Sequence, residues 1–301
     1  MDMKLLKFDR KSFESRFGAK QDCYAYLAEL KWAEGYECRR CKAIKYIKGK
    51  QPFSRRCSKC GYDESTTSFT LFHKLKFDID KAFGMLYEIS TSKKGASSVW
   101  LAERFGVQQN TAWLFRQKIQ KVMESSQSHP LDGEVHVDEF EIGTPKKDEQ
   151  GRAYSKGKVR IVLAVEYRQG KSGRAYAKVI DDFSSASIRP IFDQHINQNA
   201  HVVTDGWSAY KAFRSEYKNL KQVLSEKGKN LPMLHIQIRN FKNWLRGVHS
   251  YCDKKYLQHY INEYFFRFNR RNHRETILDR LIERVAYAKP ITKKQLYNLA
   301  T

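Results

Sequence analysis

The sequence has no long apolar run. The longest in the middle of the chain, Ile161 to Val165, falls far short of the ~20 residues of a membrane span. The opening MDMKLLKFDR has no apolar region of the kind a secretory signal needs. A cytoplasmic chain is therefore expected, with no membrane partner and with its six cysteines reduced. Acidic residues are also scarce. There are 33 Asp and Glu against 56 Lys and Arg, a net charge of +23 over 301 residues and a pI of about 9.7. That imbalance argues against an ordinary small-metabolite enzyme and for a polyanionic partner, most often nucleic acid. Internal repeats and low-complexity tracts are absent too. What is present is 41% hydrophobic and 13% aromatic residues, which excludes global disorder and fills the cores of about two domains.

Four of the cysteines fall in two pairs, Cys38-x2-Cys41 and Cys57-x2-Cys60. Two such knuckles at this separation match a four-thiolate zinc ribbon, each turning sharply enough to aim two sulfurs at one tetrahedral ion. Gly61 helps the second turn. Four unrelated thiols or a redox pair are the rival readings, and redox chemistry has no use for two pairs. Four ligands leave no open position, so the zinc is expected to be structural. From Tyr36 to Tyr62 there are nine Lys and Arg and one acid, Glu37. Arg39, Arg40, Arg55 and Arg56 are candidate phosphate contacts. Cys23 and Cys252 have no partner spacing and read as buried thiols.

Apolar residues recur at helical spacing over 9–34 and 78–87. Residues 97–123 then read as two helices, 97–105 and 109–123, around a tight turn at Gly106. Val99, Leu101, Ala102 and Phe105 are expected to face inward on the first, and Val107, Ala112, Trp113, Phe115 and Ile119 on the second. Gln108, Gln109, Asn110 and Thr111 sit where a recognition helix meets a major groove. An ordinary helical hairpin is the alternative.

After a boundary at Ser125–Pro130 the pattern becomes β-β-β-α-β-α-(β)-α. Strands are expected at 134–142, 159–166 and 174–180. A helix at 188–197, the strand HVVT, a short helix at 207–213 and a weak strand at 221–224 follow. The remainder from 237 reads as mostly helical. In EVHVDEFEIG the apolar parity shifts at Asp138–Glu139, which predicts a bulge. Asp205 closes HVVTDGW. Either acid alone suits a strand end. Together, in a basic chain, they suit Mg²⁺ or Mn²⁺ ions of the kind that serve phosphodiester chemistry. The following stretch LHIQIRNFKNWLRGVHS contains no carboxylate. It offers Asn240 as a neutral oxygen ligand, flanked by His235 and His249.

The ordered set CRRC…CSKC, SSVWLAERFGVQQNTAW, VHVDEFEIG, VVTDGWSAY and RNFKNWLRGVHSY resembles bacterial insertion-sequence transposases of the DDE superfamily that carry an N-terminal zinc ribbon. The resemblance implies an α/β (α+β) ribonuclease-H-like mixed sheet with flanking helices. It implies segments at 1–35 (helical), 36–64 (zinc ribbon), 76–124 (helix-turn-helix), 130–275 (catalytic) and 276–301 (helical tail). Asp138 and Asp205 become the catalytic acids holding magnesium or manganese. Asn240 stands where many members have Glu. The partners implied are double-stranded DNA at element ends and target, with a homo-oligomer on DNA in the bacterial nucleoid. Lys242, Arg246, Arg267, Arg270, Arg271 and Arg274 join the phosphate contacts, from a segment 236–274 with nine Lys and Arg and two acids. A zinc-ribbon, helix-turn-helix transcription regulator leaves the α/β segment unexplained. A nuclease or resolvase on the same core predicts cleavage without joining.

Overall fold

A computed structural model describes residues 9–143, 158–224, 230–249 and 252–298. The chain divides into two compact units. One takes the described residues up to Met123 together with those from Asn272 onward, and the other runs from Glu124 to Arg271.

The first unit is a set of packed helices with a small three-stranded sheet. It contains α1 (Arg10–Phe17), α2 (Lys20–Lys31), β1 (Tyr46–Lys48), β2 (Arg55–Cys57), β3 (Asp63–Glu64), α3 (Ile79–Thr91), α4 (Ser98–Phe105) and α5 (Gln109–Val122). β1, β2 and β3 pair antiparallel in sequence order. α3 buries Ile79, Phe83, Leu86 and Ile89, spaced three or four apart, and so presents one continuous apolar stripe. Gly84 lies on that helix where an added Cβ would stand 2.4 Å from the Phe105 ring, so only glycine lets α4 come this close. At Gly106 the φ of 58° gives the left-handed turn expected between α4 and α5.

The segment beyond 276 is not a separate tail. Its helix α9 (Ile277–Tyr287) buries Leu278, Leu281, Ile282 and Val285 within the first unit. Arg16 binds Asp279 at 2.9 Å, and the carbonyl of Val285 accepts from the Leu71 N–H at 3.1 Å. The short helix Lys293–Asn298 follows α9.

The second unit is a five-stranded mixed sheet. Its strands are β4 (Glu134–Ile142), β5 (Val159–Arg168), β6 (Lys171–Ile180), β7 (His201–Thr204) and β8 (Lys221–Gln222), in the spatial order β6-β5-β4-β7-β8. The first three form an antiparallel meander, and β7 and β8 run parallel to β4. This order and these directions are those the ribonuclease-H-like expectation requires. β6 begins three residues earlier than the sequence suggested, because Gln169 and Gly170 both adopt positive φ and close a two-residue hairpin.

The bulge expected at Asp138–Glu139 is absent. β4 pairs with β5 without a register break from Glu134↔Tyr167 to Ile142↔Val159. The parity shift arises because both faces of this central strand are covered. Val135 and Val137 pack into a core with Ile188, Phe192, Val202, Tyr210 and Phe213 on one face. Phe140 meets Phe241 on the other, ring centroids 6.2 Å apart. A register shift does occur in β5 between Val165 and Tyr167, at the buried Glu166.

Helix α6 (Ser185–His195) and a 3₁₀ helix (Ser208–Phe213) cover the first face. Helices α7 (Pro232–Val248) and α8 (Leu257–Phe268) belong to the same unit, with Phe241 on Phe265 at 6.0 Å. α7 starts five residues before the predicted boundary, at a proline suited to the first turn of a helix. Edge strand β6 is clasped by side-chain amides. Asn269 both accepts from and donates to the backbone of Ala175 at 2.9 Å. Gln258 accepts from the Val179 N–H at 2.9 Å and reaches the Ala177 carbonyl at 3.4 Å.

Candidate functional site

Two parallel strands set the site. In their register Val137 stands beside Thr204, so Asp138 and Asp205 follow side by side where the parallel pairing ends, Asp205 just past β7 and Asp138 midway along β4. One carboxylate oxygen each from Asp138, Glu139 and Asp205 lie within 4.8 Å of one another, and all three residues are half-buried. Asp138 Oδ1 accepts the Glu139 N–H at 2.8 Å. Asp205 Oδ1 accepts the Trp207 N–H at 2.9 Å, which turns the chain into the 3₁₀ helix. The Trp207 indole donates to the Phe183 carbonyl at 2.9 Å, and the Gln222 amide donates to the carbonyls of Asp205 and Trp207 at 3.2 and 2.8 Å. The loop carrying Asp205 is thus fixed by three elements. Tyr210 is fully buried next to the carboxylates. Burial first, then the charge of Glu139 and of Asp138 and Asp205, drives its phenol well above the ordinary value.

Three carboxylates this close, in a partly desolvated place, are an arrangement that suits a divalent cation. The donor set is all oxygen on these residues, which fits magnesium or manganese. From α7, His235 Nε2 comes to 3.8 Å from Asp138 Oδ2. Burial lowers its pKa, which favours the neutral imidazole that ligates metals.

Asn240 is exposed. Five residues after His235, it stands about 140° round the helix from it. It shares the flank of Gln237, whose amide donates to Ser172 Oγ on β6 at 3.1 Å. The flank that reaches Asp138 carries His235 and, two turns on, Lys242, whose ammonium lies 5.2 Å from the Phe140 ring centre. Arg246, one turn further, is exposed.

The four ribbon cysteines converge as their spacing requires. Cys38 and Cys60 sulfurs are 3.6 Å apart and those of Cys41 and Cys57 3.5 Å. A tetrahedral ion with ~2.3 Å bonds to sulfur sets its ligands about 3.8 Å apart, so the four fit zinc. Burial opposes charge on Cys38, yet the N–H groups of Cys41 and Arg40 favour the thiolate and bring the thiol down to about 6. The knuckles are matched in backbone. Lys42 and Gly61 each follow the second cysteine, have φ of 63° and 69°, and donate their N–H to the carbonyls of Cys38 and Cys57 at 2.8 and 3.0 Å.

The ribbon arginines divide into two pairs. The Arg55 guanidinium lies over Trp32 and Tyr46 at 4.4 and 4.2 Å, and Arg39 binds the buried Glu64 at 3.1 Å. Arg40 and Arg56 are exposed, and Arg39 is too despite its ion pair.

In the helix-turn-helix, Leu101, Ala102, Ala112, Phe115 and Ile119 are buried as expected, and Gln108, Gln109 and Asn110 are exposed. Thr111 is half-buried. Val99 departs from the expected inner face and is 52% exposed. It sits two positions before Leu101, about 200° away on the helix, so both cannot face one core.

The basic series after α7 is mostly committed to structure. Arg267 lies 3.8 Å from the buried Glu263. Arg270 donates to the Phe266 carbonyl at 3.0 Å, and Arg271 donates to the carbonyls of Phe268 and Ser172. All three are half-buried, whereas Arg274 is exposed and falls in the first unit.

Residues 130–269 match the family described as the ISXO2-like transposase domain. This chain carries an insertion-sequence transposase domain of the DDE superfamily. The matched transposase domain contains the whole five-stranded sheet, the carboxylate cluster and His235, and it ends on Asn269, the residue that clasps β6. Comparison with curated proteins gives no match. Among solved structures, the Mos1 strand transfer complex aligns over 70% of this chain and 79% of its own at 13% identity, with a TM-score of 0.30. A pre-cleavage Mos1 transpososome aligns over 70% and 80%, also at 13%, with a TM-score of 0.29. Likenesses this distant decide nothing about the site. Among the described residues no helix is long and apolar enough to cross a membrane.

Reading the transposase sequence by motif left Glu139, His235 and Tyr210 in the background. Glu139 is masked as a neighbour of Asp138, and Tyr210 looks like core. His235 could have been found from helix phase, since its flank is set by the buried series Leu234, Ile238, Phe241 and Leu245.

Proposed function

We propose that this transposase cleaves DNA at the ends of its element and joins the freed ends to target DNA, using divalent ions held by Asp138 and Asp205. The observation that carries the reading is the convergence of Asp138, Glu139 and Asp205 where the parallel pairing of β4 with β7 ends. Ions bound there would supply an activated attacking oxygen and neutralise charge on the leaving oxygen. His235 is the fourth donor on the Asp138 side, with Glu139 beside it. The first reaction breaks a phosphodiester at the element end with water and leaves a 3′-hydroxyl. The second joins that hydroxyl to a target phosphorus and releases a target 3′-hydroxyl. Lys242 and Arg246 continue the same flank of α7 and would take the phosphates on either side of the reacting one.

In the same reading a zinc ion held by Cys38, Cys41, Cys57 and Cys60 fixes the ribbon. Gln108, Gln109, Asn110 and Thr111 read the element ends, and a homo-oligomer holds two ends at once. The test uses a plasmid carrying the gene with its natural flanks. Wild-type protein with magnesium should nick at the two boundaries and give joined products. Asp138→Ala and Asp205→Ala should give neither while still retarding the DNA. Equal cleavage by either variant overturns the assignment, and cleavage without joined products reduces it to a nuclease.

A further inference from the structure

The turn between β1 and β2 has a residue that folding alone does not explain. The Ser54 N–H donates to the Gln51 carbonyl at 3.0 Å, closing a four-residue turn with Pro52 and Phe53 at its centre. Proline fixes a negative φ at the first central position, and Phe53 has φ of 56°, so the turn is type II. Its second central position is the place of glycine or asparagine, because a Cβ is strained there. Here it holds a large aromatic side chain that is 45% exposed and has no ring or cation partner among the described residues. Phe69, also at positive φ, differs, since it stacks on His73 and receives the Arg39 guanidinium at 4.5 Å. Strain kept at an exposed tip points to a use outside the fold.

The charge around the tip names the partner. No acidic residue occurs from Cys38 to Tyr62, and Lys48, Lys50 and Arg56 flank the turn with exposed side chains. The next strand residue back, Ile47, is 57% exposed. At the base of the turn Asp63 accepts the Lys50 N–H at 2.8 Å, and Lys48, Lys50 and Arg56 outnumber it. An apolar tip in a mostly cationic field is repelled by a second copy of this basic chain and matches a polyanion with apolar rungs, which is duplex DNA. Edge strand β1 is exposed and carries Lys48, with Lys45 just before it, a pattern that discourages pairing with another protein strand.

We propose that the ribbon hairpin is a DNA-deforming contact, with Phe53 as an apolar wedge that enters a base step and Lys48, Lys50 and Arg56 holding the flanking phosphates. Side chains of this kind partly unstack a step and bend the duplex. The proposal rests on the reading of this chain as a DNA transposase and adds to it a contact outside the matched domain.

The decisive variant is Phe53→Asn, in the full zinc-loaded chain. Asparagine suits the turn, so thermal stability should be unchanged or raised. The probe is a duplex of alternating TA steps carrying 2-aminopurine, read by anisotropy and by 2-aminopurine fluorescence at several salt concentrations. Wild type should bind and raise the 2-aminopurine signal. Phe53→Asn should bind about tenfold more weakly with an unchanged salt slope and give no signal. Phe53→Trp should keep both. Lys48→Gln with Lys50→Gln should lower the salt slope. If wild type does not bind the duplex at all, the DNA reading itself fails. If wild type binds and Phe53→Asn matches it in affinity and signal, the wedge fails alone. A marked loss of stability in Phe53→Asn overturns it as well, by making Phe53 a structural residue.

Discussion

Asp138→Asn offers a test of the carboxylate cluster that needs no DNA. Asparagine keeps an oxygen for the Glu139 N–H, which Asp138 Oδ1 accepts at 2.8 Å, so the backbone should hold. What is lost is a negative charge within 4.8 Å of two others. At an effective dielectric of ~20, each such pair repels by about 3.5 kcal/mol. Asp138 is 15% exposed and His235 stands 3.8 Å away, so water and the imidazole screen much of this. A net relief of about 1–2 kcal/mol is left in the metal-free protein. For a unit of this size that raises the melting temperature by roughly 2–8 °C. The assay is thermal unfolding in excess EDTA and again in millimolar magnesium. Wild type should start lower and gain about 3 kcal/mol when the ion reaches a hundred times its dissociation constant. Asp138→Asn should start higher and gain little. A variant less stable than wild type in EDTA, or one with the full magnesium gain, would refute the argument that this cluster is a strained, cation-seeking site.

Three further outcomes are expected. His235→Ala should weaken magnesium binding about 10-fold or more by calorimetry, because its imidazole comes to 3.8 Å from Asp138, and Asn240→Ala should weaken it less; the reverse order would make Asn240 the stronger ligand. Lys42→Gly should stabilise the zinc-loaded ribbon by about 0.5–1 kcal/mol in urea titrations, since Gly61 already fills the matching place in the other knuckle at φ 69°; a loss would mean that the Lys42 side chain matters more than its strained backbone. Burial, with Lys178 nearby, lowers His195 to about 4 against an ordinary 6.5. The unfolded chain therefore takes up this proton first, and stability falls as pH drops from about 6.5 to about 4 by roughly 3 kcal/mol. His195→Phe, which keeps a ring against Tyr176, should flatten that part of the urea-unfolding profile, and an unchanged acid slope would assign the loss to other groups.

Much of this was legible in the residues. Paired cysteines report on each other through a fixed short spacing, so Cys38, Cys41, Cys57 and Cys60 could be grouped without coordinates. Asp205 ended a recognisable apolar strand, and Asp138 sat inside another. Features set by tertiary cover were not legible. The parity shift in EVHVDEFEI looked like a bulge, but it records two different apolar faces, one packed in the Val202 and Tyr210 core and one on Phe241. A run of arginines after Tyr264 looked like a surface because charge usually is one. Only the packing shows Arg271 half-buried and donating to the Ser172 carbonyl on edge strand β6. The place of α9 was beyond any local pattern. Its apolar stripe was visible as a helix, yet nothing nearby in sequence said that its partners lay before residue 124.

That return of α9 gives the chain an order of assembly. The helices of the first unit are made early, but the stripe of Leu278, Leu281, Ile282 and Val285 that completes their core is made only after everything from Glu124 to Arg271 has been translated. The amino-terminal unit therefore waits, with α3 partly uncovered, until the intervening unit has had time to fold by itself. A product cut short by a nonsense codon or a frameshift in the second unit has a ribbon and a helix-turn-helix by sequence, but no finished body to display them. Such fragments should be cleared as misfolded protein before they compete with the complete chain for its binding sites.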